Sequence, residues 1–272
     1  MEKVIPNILT IAGVDPSGGA GVFADLKAMS ALGGYGCGVI AALTAQNTQV
    51  VSGVMPVSAD FVALQLKTLF EDVRIDAVKI GMLADVAVIE AVAEAIEQYK
   101  PRFVVLDPVM VSTSGTRLLP ISSVEALKTK LLPLVTVFTP NLPEAALLLQ
   151  EPEIQDESEM RPLALKLLAK MTPGSWLLLK GGHLTGNTVS DFLTNGTETV
   201  VFTSPRVSTK NTHGTGCTLS SALATLLPQS ETVPEAMKKA KDYISEAIAH
   251  ADELSVGWGH GPVHHFWKKW SC

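Results

Sequence analysis

Phe103-Val104-Val105-Leu106-Asp107-Pro108-Val109-Met110 is a four-residue apolar run that stops abruptly on an acid and a proline. A run of that length bounded by turn residues reads as a buried strand. The pattern recurs at residues 7–12, 77–80, 135–139 and 176–179, each followed by a polar or glycine-rich cluster. Between these runs, residues 20–32, 61–70, 86–99, 124–131, 144–150 and 160–171 carry helical periodicity. Strands alternating with helices of this length predict a mostly parallel sheet with helices on both faces, an α/β/α sandwich. Residues 189–193 and 199–202 flank Asn195-Gly196 and predict an antiparallel hairpin. Helices over 218–227 and 235–254 close the pattern before a tail rich in glycine and histidine. No repeat and no low-complexity linker interrupts it, so residues 1–272 are expected to form one domain.

Composition narrows the function. The 272 residues are 47% hydrophobic and 18% charged, which suits a compact enzyme-like domain. A net charge of −6 argues against a nucleic-acid surface, although local donors can still bind an anionic cosubstrate. Cys37, Cys217 and Cys272 are widely spaced, odd in number and without a CxxC pair, which predicts reduced thiols and a cytoplasmic location. The opening MEKVIPNILTIAG does not read as a signal peptide, and no apolar run is long enough to span a membrane.

Ligands of open parallel sheets bind at the carboxyl ends of the strands. Here that edge collects Gly13 to Gly21, Gly81-Met82-Leu83, Asp107 to Met110, Pro140 to Glu144, and Lys180-Gly181-Gly182-His183. Gly19 to Ala24 fits the loose G-x-G-x-x-A form of a dinucleotide loop, but residues 37–56 lack the acid that would hold the ribose. A Walker A loop is excluded because the chain has no Gly-Lys dipeptide. The stretch Asn211-Thr212-His213-Gly214-Thr215-Gly216-Cys217-Thr218 is the strongest chemical signal. Its glycines let N–H groups converge where a helix begins, a site suited to phosphate.

Each candidate has a structural alternative. Cys217 is either a small buried hydrophobe or a helix-start thiol with a lowered pKa. Asn141 is a helix cap or a ligand, and Glu144 is a first-turn acid or, with Asp107, a magnesium carboxylate. Lys180 is either a lysine reaching out from a strand end or the partner of a phosphate chain. Lys241, within a helix, is more naturally a surface residue. His260, His264 and His265 lack the spacing and partner ligands of a metal site, and predict a tail packed by Trp258, Phe266 and Trp267.

The motifs G-V-D-P-S-G-G-A-G, A-Q-N-T, K-I-G-M-L, L-D-P-V-M, T-P-N-L-P-E, L-K-G-G-H, N-T-H-G-T-G-C-T and G-H-G-P-V-H-H-F occur in that order. Together they resemble the bacterial hydroxymethylpyrimidine/phosphomethylpyrimidine kinases of thiamin biosynthesis, in the ribokinase-like superfamily, over essentially the whole chain. Val14 departs from the small hydroxyl residue expected there. The resemblance implies a three-layer α/β/α sandwich, ATP and Mg2+, and a likeness to homodimers. It implies phosphorylation of 4-amino-5-hydroxymethyl-2-methylpyrimidine and then of its monophosphate; pyridoxal kinases of the same fold are the nearest alternative. By the same resemblance, Gly13, Asp25, Gln46, Met82 and Val109 match pyrimidine-binding positions. Asp107, Asn141, Glu144, Lys180 and Lys241 match positions near nucleotide and magnesium, with Asp107 and Glu144 as metal carboxylates. Gly214, Thr215, Gly216 and Cys217 match the catalytic turn. Many relatives that phosphorylate sugars carry aspartate where Cys217 stands, which leads to the expectation that a Cys217 thiolate takes the acceptor proton.

Overall fold

The computed structural model describes residues 4–110 and 121–270. Cys272 lies outside the described residues. The elements run β1 (Asn7–Val14), α1 (Gly21–Ala31), β2 (Tyr35–Gln46), β3 (Val51–Pro56), α2 (Ala59–Phe70), β4 (Ala77–Ile80), α3 (Val86–Tyr99) and β5 (Phe103–Leu106). They continue with α4 (Ile121–Ala126), β6 (Val137–Phe138), α5 (Leu142–Leu149), α6 (Met160–Leu168), β7 (Trp176–Lys180), β8 (Thr188–Thr194), β9 (Thr199–Pro205), α7 (Thr215–Leu226) and α8 (Val233–Ala249).

One nine-stranded sheet has the order β3-β2-β1-β4-β5-β6-β7-β8-β9. From β2 to β7 the pairing is parallel. β3 caps one edge antiparallel, and β8 and β9 cap the other. Strand side chains alternate between faces. Leu9, Val78, Val104, Phe138 and Leu177 therefore pack under α2–α6. Their neighbours Ile8, Ala77, Val105, Val137 and Leu178 pack against α1, α7 and α8. Both faces are dry, which is why these strands read as continuous apolar runs. Each fully buried leucine or isoleucine contributes on the order of 1.5–3 kcal/mol.

The expected helices and hairpin are present, with the second half of the 124–131 segment wound as a π-helical turn over Leu127–Leu131. The hairpin turns on Gly196 at φ 91°, while the Asn195 side chain accepts from the backbone N–H groups of Thr197 and Glu198. β2 and β3 were not expected. Tyr35–Gln46 is rich in glycine and alanine, residues with weak strand preference. The reason lies across the sheet: a Cβ on Gly36 would sit 2.6 Å from Leu26 Cδ2 of α1, so this strand stays small to admit that helix. The tail also differs from expectation. Trp258 is 90% exposed, whereas the expected Trp267 and Phe266 do pack, stacked on His250 and against Trp270 respectively.

Candidate active site

The parallel strands all end at one edge, and the clusters that follow them close around a cleft of about 720 Å³. Gly13, Gln46, Met82, Asp107, Val109, Asn141, Glu144, Lys180, Lys241 and the turn Gly214, Thr215, Gly216 and Cys217 all line it. Asp25 does not. It is fully buried beneath the cleft, where it accepts hydrogen bonds from Thr10 and Ser221 and pairs with Lys79. Direct contact with a substrate is not what this position offers, because the carboxylate is wholly buried and does not reach the cleft wall.

The start of α7 is shaped by backbone crowding. Gly214 has φ 75°, and a Cβ there would fall 1.7 Å from the Gly19 carbonyl oxygen, so no side chain fits. No side chain caps the helix. The N–H of Thr215 donates to Thr212 O at 3.2 Å and that of Thr218 to Gly214 O at 2.9 Å. Helix geometry leaves the first-turn N–H groups of Gly216 and Cys217 for an incoming acceptor. The donor set is thus narrower than the whole Gly214–Cys217 turn. A Cβ on Gly216 would lie 3.4 Å from Lys180 Nζ and 3.5 Å from Asp107 Oδ2, so helix start, lysine and carboxylate converge on one spot.

Lys180 Nζ sits 2.9 Å from Asp107 Oδ1, so its anionic partner in the chain is this aspartate. Thr139 and Ser220 hydroxyls also approach Asp107, each at 3.3 Å. Burial depresses the Lys180 ammonium, but the Asp107 and Glu144 carboxylates more than offset it, and the pKa is raised. Asn141 and Glu144 form a capping box on α5: Glu144 Oε2 accepts from Asn141 N at 2.8 Å, and Asn141 Oδ1 from Glu144 N at 2.9 Å. The cap and the cleft-lining position are one and the same geometry. Burial raises the Glu144 carboxyl pKa, Lys180 opposes that rise, and the like charge of Asp107 adds to it. Among the described residues no three His, Cys, Asp or Glu side chains gather as a metal cage. Asp107 and Glu144 are carboxylates near each other on the cleft wall, an oxygen-donor set of the kind magnesium takes, although their oxygens also accept from Lys180 and Ser220 and from the Met110 and Asn141 N–H groups.

Cys217 departs from expectation. Burial pushes its thiol up to about 11, and the Lys79 cation and the Gly21 N–H only partly counter that. The free thiol is therefore protonated near neutrality, and the helix start does not overcome desolvation. Lys241 is also corrected. It is buried rather than at the surface, with Nζ 2.7 Å from Asp191 Oδ2, and Asp191 Oδ1 in turn accepts from Gly181 N.

Three features had no advance notice. His213 Nε2 lies 2.8 Å from Asp15 Oδ2 on the cleft wall. Burial raises the Asp15 pKa, but hydrogen bonds from His213 and Ser17 outweigh it and hold the carboxyl below its usual value. Val109 has φ 33°, a strained value for a β-branched residue, at a cleft-lining position just after Asp107-Pro108. Lys79 is wholly buried behind Cys217. The third had a visible signal: a lone lysine inside the apolar run Ala77–Ile80 needs a buried acid.

A family model described as phosphomethylpyrimidine kinase matches residues 15–264. The hydroxymethylpyrimidine/phosphomethylpyrimidine kinase of Escherichia coli K12 is 53% identical over 97% of this chain and 98% of its own length. The phosphomethylpyrimidine kinase structure from Clostridium difficile 630 superposes with a TM-score of 0.78 at 39% identity, covering 89% of this chain and 99% of that one. A Staphylococcus aureus pyridoxal kinase, solved with AMP-PCP and pyridoxal, gives 0.89 at 30% identity, covering 98% and 96%. The fold is that of a ribokinase-like kinase. The chain belongs to the phosphomethylpyrimidine kinase family.

Proposed function

We propose that this protein transfers the terminal phosphoryl group of ATP to 4-amino-5-hydroxymethyl-2-methylpyrimidine and then to the resulting monophosphate, in thiamine biosynthesis. The observation that carries this reading is the convergence of the open α7 start, Lys180 and Asp107 at one point of one cleft. The N–H groups of Gly216 and Cys217 stabilise charge on the phosphoryl group in transit. Lys180 neutralises the departing diphosphate, while Asp107 holds that lysine in place. Asp107 and Glu144 would hold magnesium, which supplies further charge neutralisation on the phosphates. Cys217, a neutral thiol on the cleft wall, would place the acceptor rather than act as base, and the acceptor proton would pass to a phosphoryl oxygen or to solvent as the O–P bond forms and the bond to ADP breaks.

Gln46 supports an aminopyrimidine acceptor. Its amide lines the cleft 3.2 Å from Thr44 Oγ1, a hydroxyl that donates its single proton to Val14 O at 2.9 Å, and it carries both donor and acceptor for an aminopyrimidine edge. Gly13 and Met82 pack tightly together beside it, since a Cβ at Gly13 would lie 2.4 Å from Met82 Cε. The likeness to a pyridoxal kinase keeps pyridoxine as a second candidate acceptor. Incubation with ATP, magnesium and each alcohol decides: mono- and diphosphates of the pyrimidine should appear by mass, with the higher kcat/KM. Absence of both products would refute the assignment.

We extend the reading to a single-domain, cytoplasmic homodimer. Cys37 and Cys217 are free thiols, and no described helix is long and apolar enough to cross a membrane. The cross-strand neighbours Leu43 and Met55 are 46% and 69% exposed, an apolar strand edge suited to a second copy. A monomeric mass by light scattering would remove the dimer from the proposal.

A further inference from the structure

Lys79 is the largest fully buried side chain among the described residues, on a four-residue strand otherwise made of alanine, valine and isoleucine. Strand alternation points it toward α1 and α7, the same side as Thr10 of β1. Its Nζ lies 3.0 and 2.9 Å from the two oxygens of Asp25, which is itself fully buried on α1. Gly81 makes room for that ammonium, because a Cβ there would sit 2.6 Å from Nζ. Asp25 is also bound by Thr10 Oγ1 at 2.6 Å and by Ser221 Oγ at 2.7 Å. Ser221 stands one helical turn after Cys217 on α7, so the carboxylate grips the helix that presents the open N–H groups.

Neither member of the pair lines the cleft. A sealed ion pair is poor at stabilising a fold, and apolar side chains of similar volume commonly do as well. Packing alone gives no reason for two charges at these positions. Their consequence is geometric: β1, β4, α1 and the first turns of α7 are tied at one point directly behind the transfer site. A misplacement of that helix start by an ångström would spoil in-line transfer without removing any substrate contact.

We infer that Asp25 and Lys79, with Ser221 as the tether, are positioning residues that set the start of α7 for phosphoryl transfer while leaving acceptor binding alone. This rests on the reading of the cleft as a kinase site. The test compares wild type with the double variant Asp25→Asn/Lys79→Met, which removes both charges together, under saturating ATP with the pyrimidine alcohol varied. In the double variant, kcat falls by about tenfold to a hundredfold, while KM for the alcohol stays within about twofold. Ser221→Ala, which leaves the ion pair whole, lowers kcat in the same sense, and Ser221→Thr restores most of it. A well-folded double variant with wild-type kcat, or a loss that falls on KM alone, overturns the inference. So does wild-type kcat in Ser221→Ala, which decides the matter should the double variant fold poorly. Product formation by wild type in the same assay verifies the reaction itself, so a failure of the kinase reading and a failure of this inference give different results.

Discussion

Two lysine–aspartate pairs lie near the start of α7 with shortest contacts of the same length: 2.9 Å for Lys180–Asp107 and 2.9 Å for Lys79–Asp25. Their surroundings separate them. The Lys180 side chain is 14% exposed at the cleft, whereas both partners of the second pair are at zero. On the proposed kinase reading, the open pair would exchange part of its coordination for phosphate oxygens, since both residues line the cleft. The sealed pair has nothing to exchange with. On that reading, and on the inference drawn above for the sealed pair, the same two side chains would serve chemistry where one face is open and geometry where none is. Distance alone would not have told them apart.

The sharpest way to break this comparison is thermodynamic. Lys79→Met alone leaves the Asp25 charge buried without its cation, and should cost about 3–5 kcal/mol of unfolding free energy. The double variant with Asp25→Asn should recover most of that loss, because no charge remains stranded. Chemical denaturation of the three proteins measures it. Equal losses in the single and double variants would mean that the pair is not a desolvated unit. At the open pair the larger effect is catalytic. Lys180→Met should lower kcat/KM for ATP by about 10²- to 10³-fold, the scale of losing one preorganised group that faces developing charge. Its stability loss should be smaller than that of Lys79→Met, because the vacated space opens onto the cleft and Thr139 and Ser220 still serve Asp107. A Lys180→Met enzyme with near wild-type kcat/KM would sink the assignment of this lysine to the leaving group.

The same contrast explains what could be read in advance. β1 and β4–β7 were legible because strands dry on both faces are written as plain apolar runs. β2 was not, because its composition answers to Leu26 and Val22 of α1 rather than to its own backbone. The cleft residues were legible because they follow strand ends, where topology brings ligands. Partnerships were not: Lys79 finds Asp25 across 54 positions and His213 finds Asp15 across 198, distances that no local pattern encodes. Asp25, which the resemblance places at the substrate, instead gives its oxygens to Thr10, Lys79 and Ser221. The Cys217 error has the same origin. A helix start favours thiolate by a local effect, but the desolvation that wins comes from segments remote in sequence.

That error leads to the smallest predicted effect. With the Cys217 thiol raised to about 11, thiolate is a minor form at pH 7, and its population grows about tenfold per pH unit until that value is approached. If thiolate were the proton acceptor, kcat/KM for the alcohol would climb with that slope between pH 7 and 9, and Cys217→Ala would abolish the climb. The monophosphate step would show no slope, since its acceptor is already mostly dianionic above its second pKa of about 6. A loose transition state asks little of a base, so we expect flat profiles for both acceptors. Cys217→Ala should then slow the two steps alike, by about tenfold, well below the 10²–10⁴ that a positioned general base contributes. A steep profile confined to the alcohol and lost in the variant would return the thiolate to the mechanism.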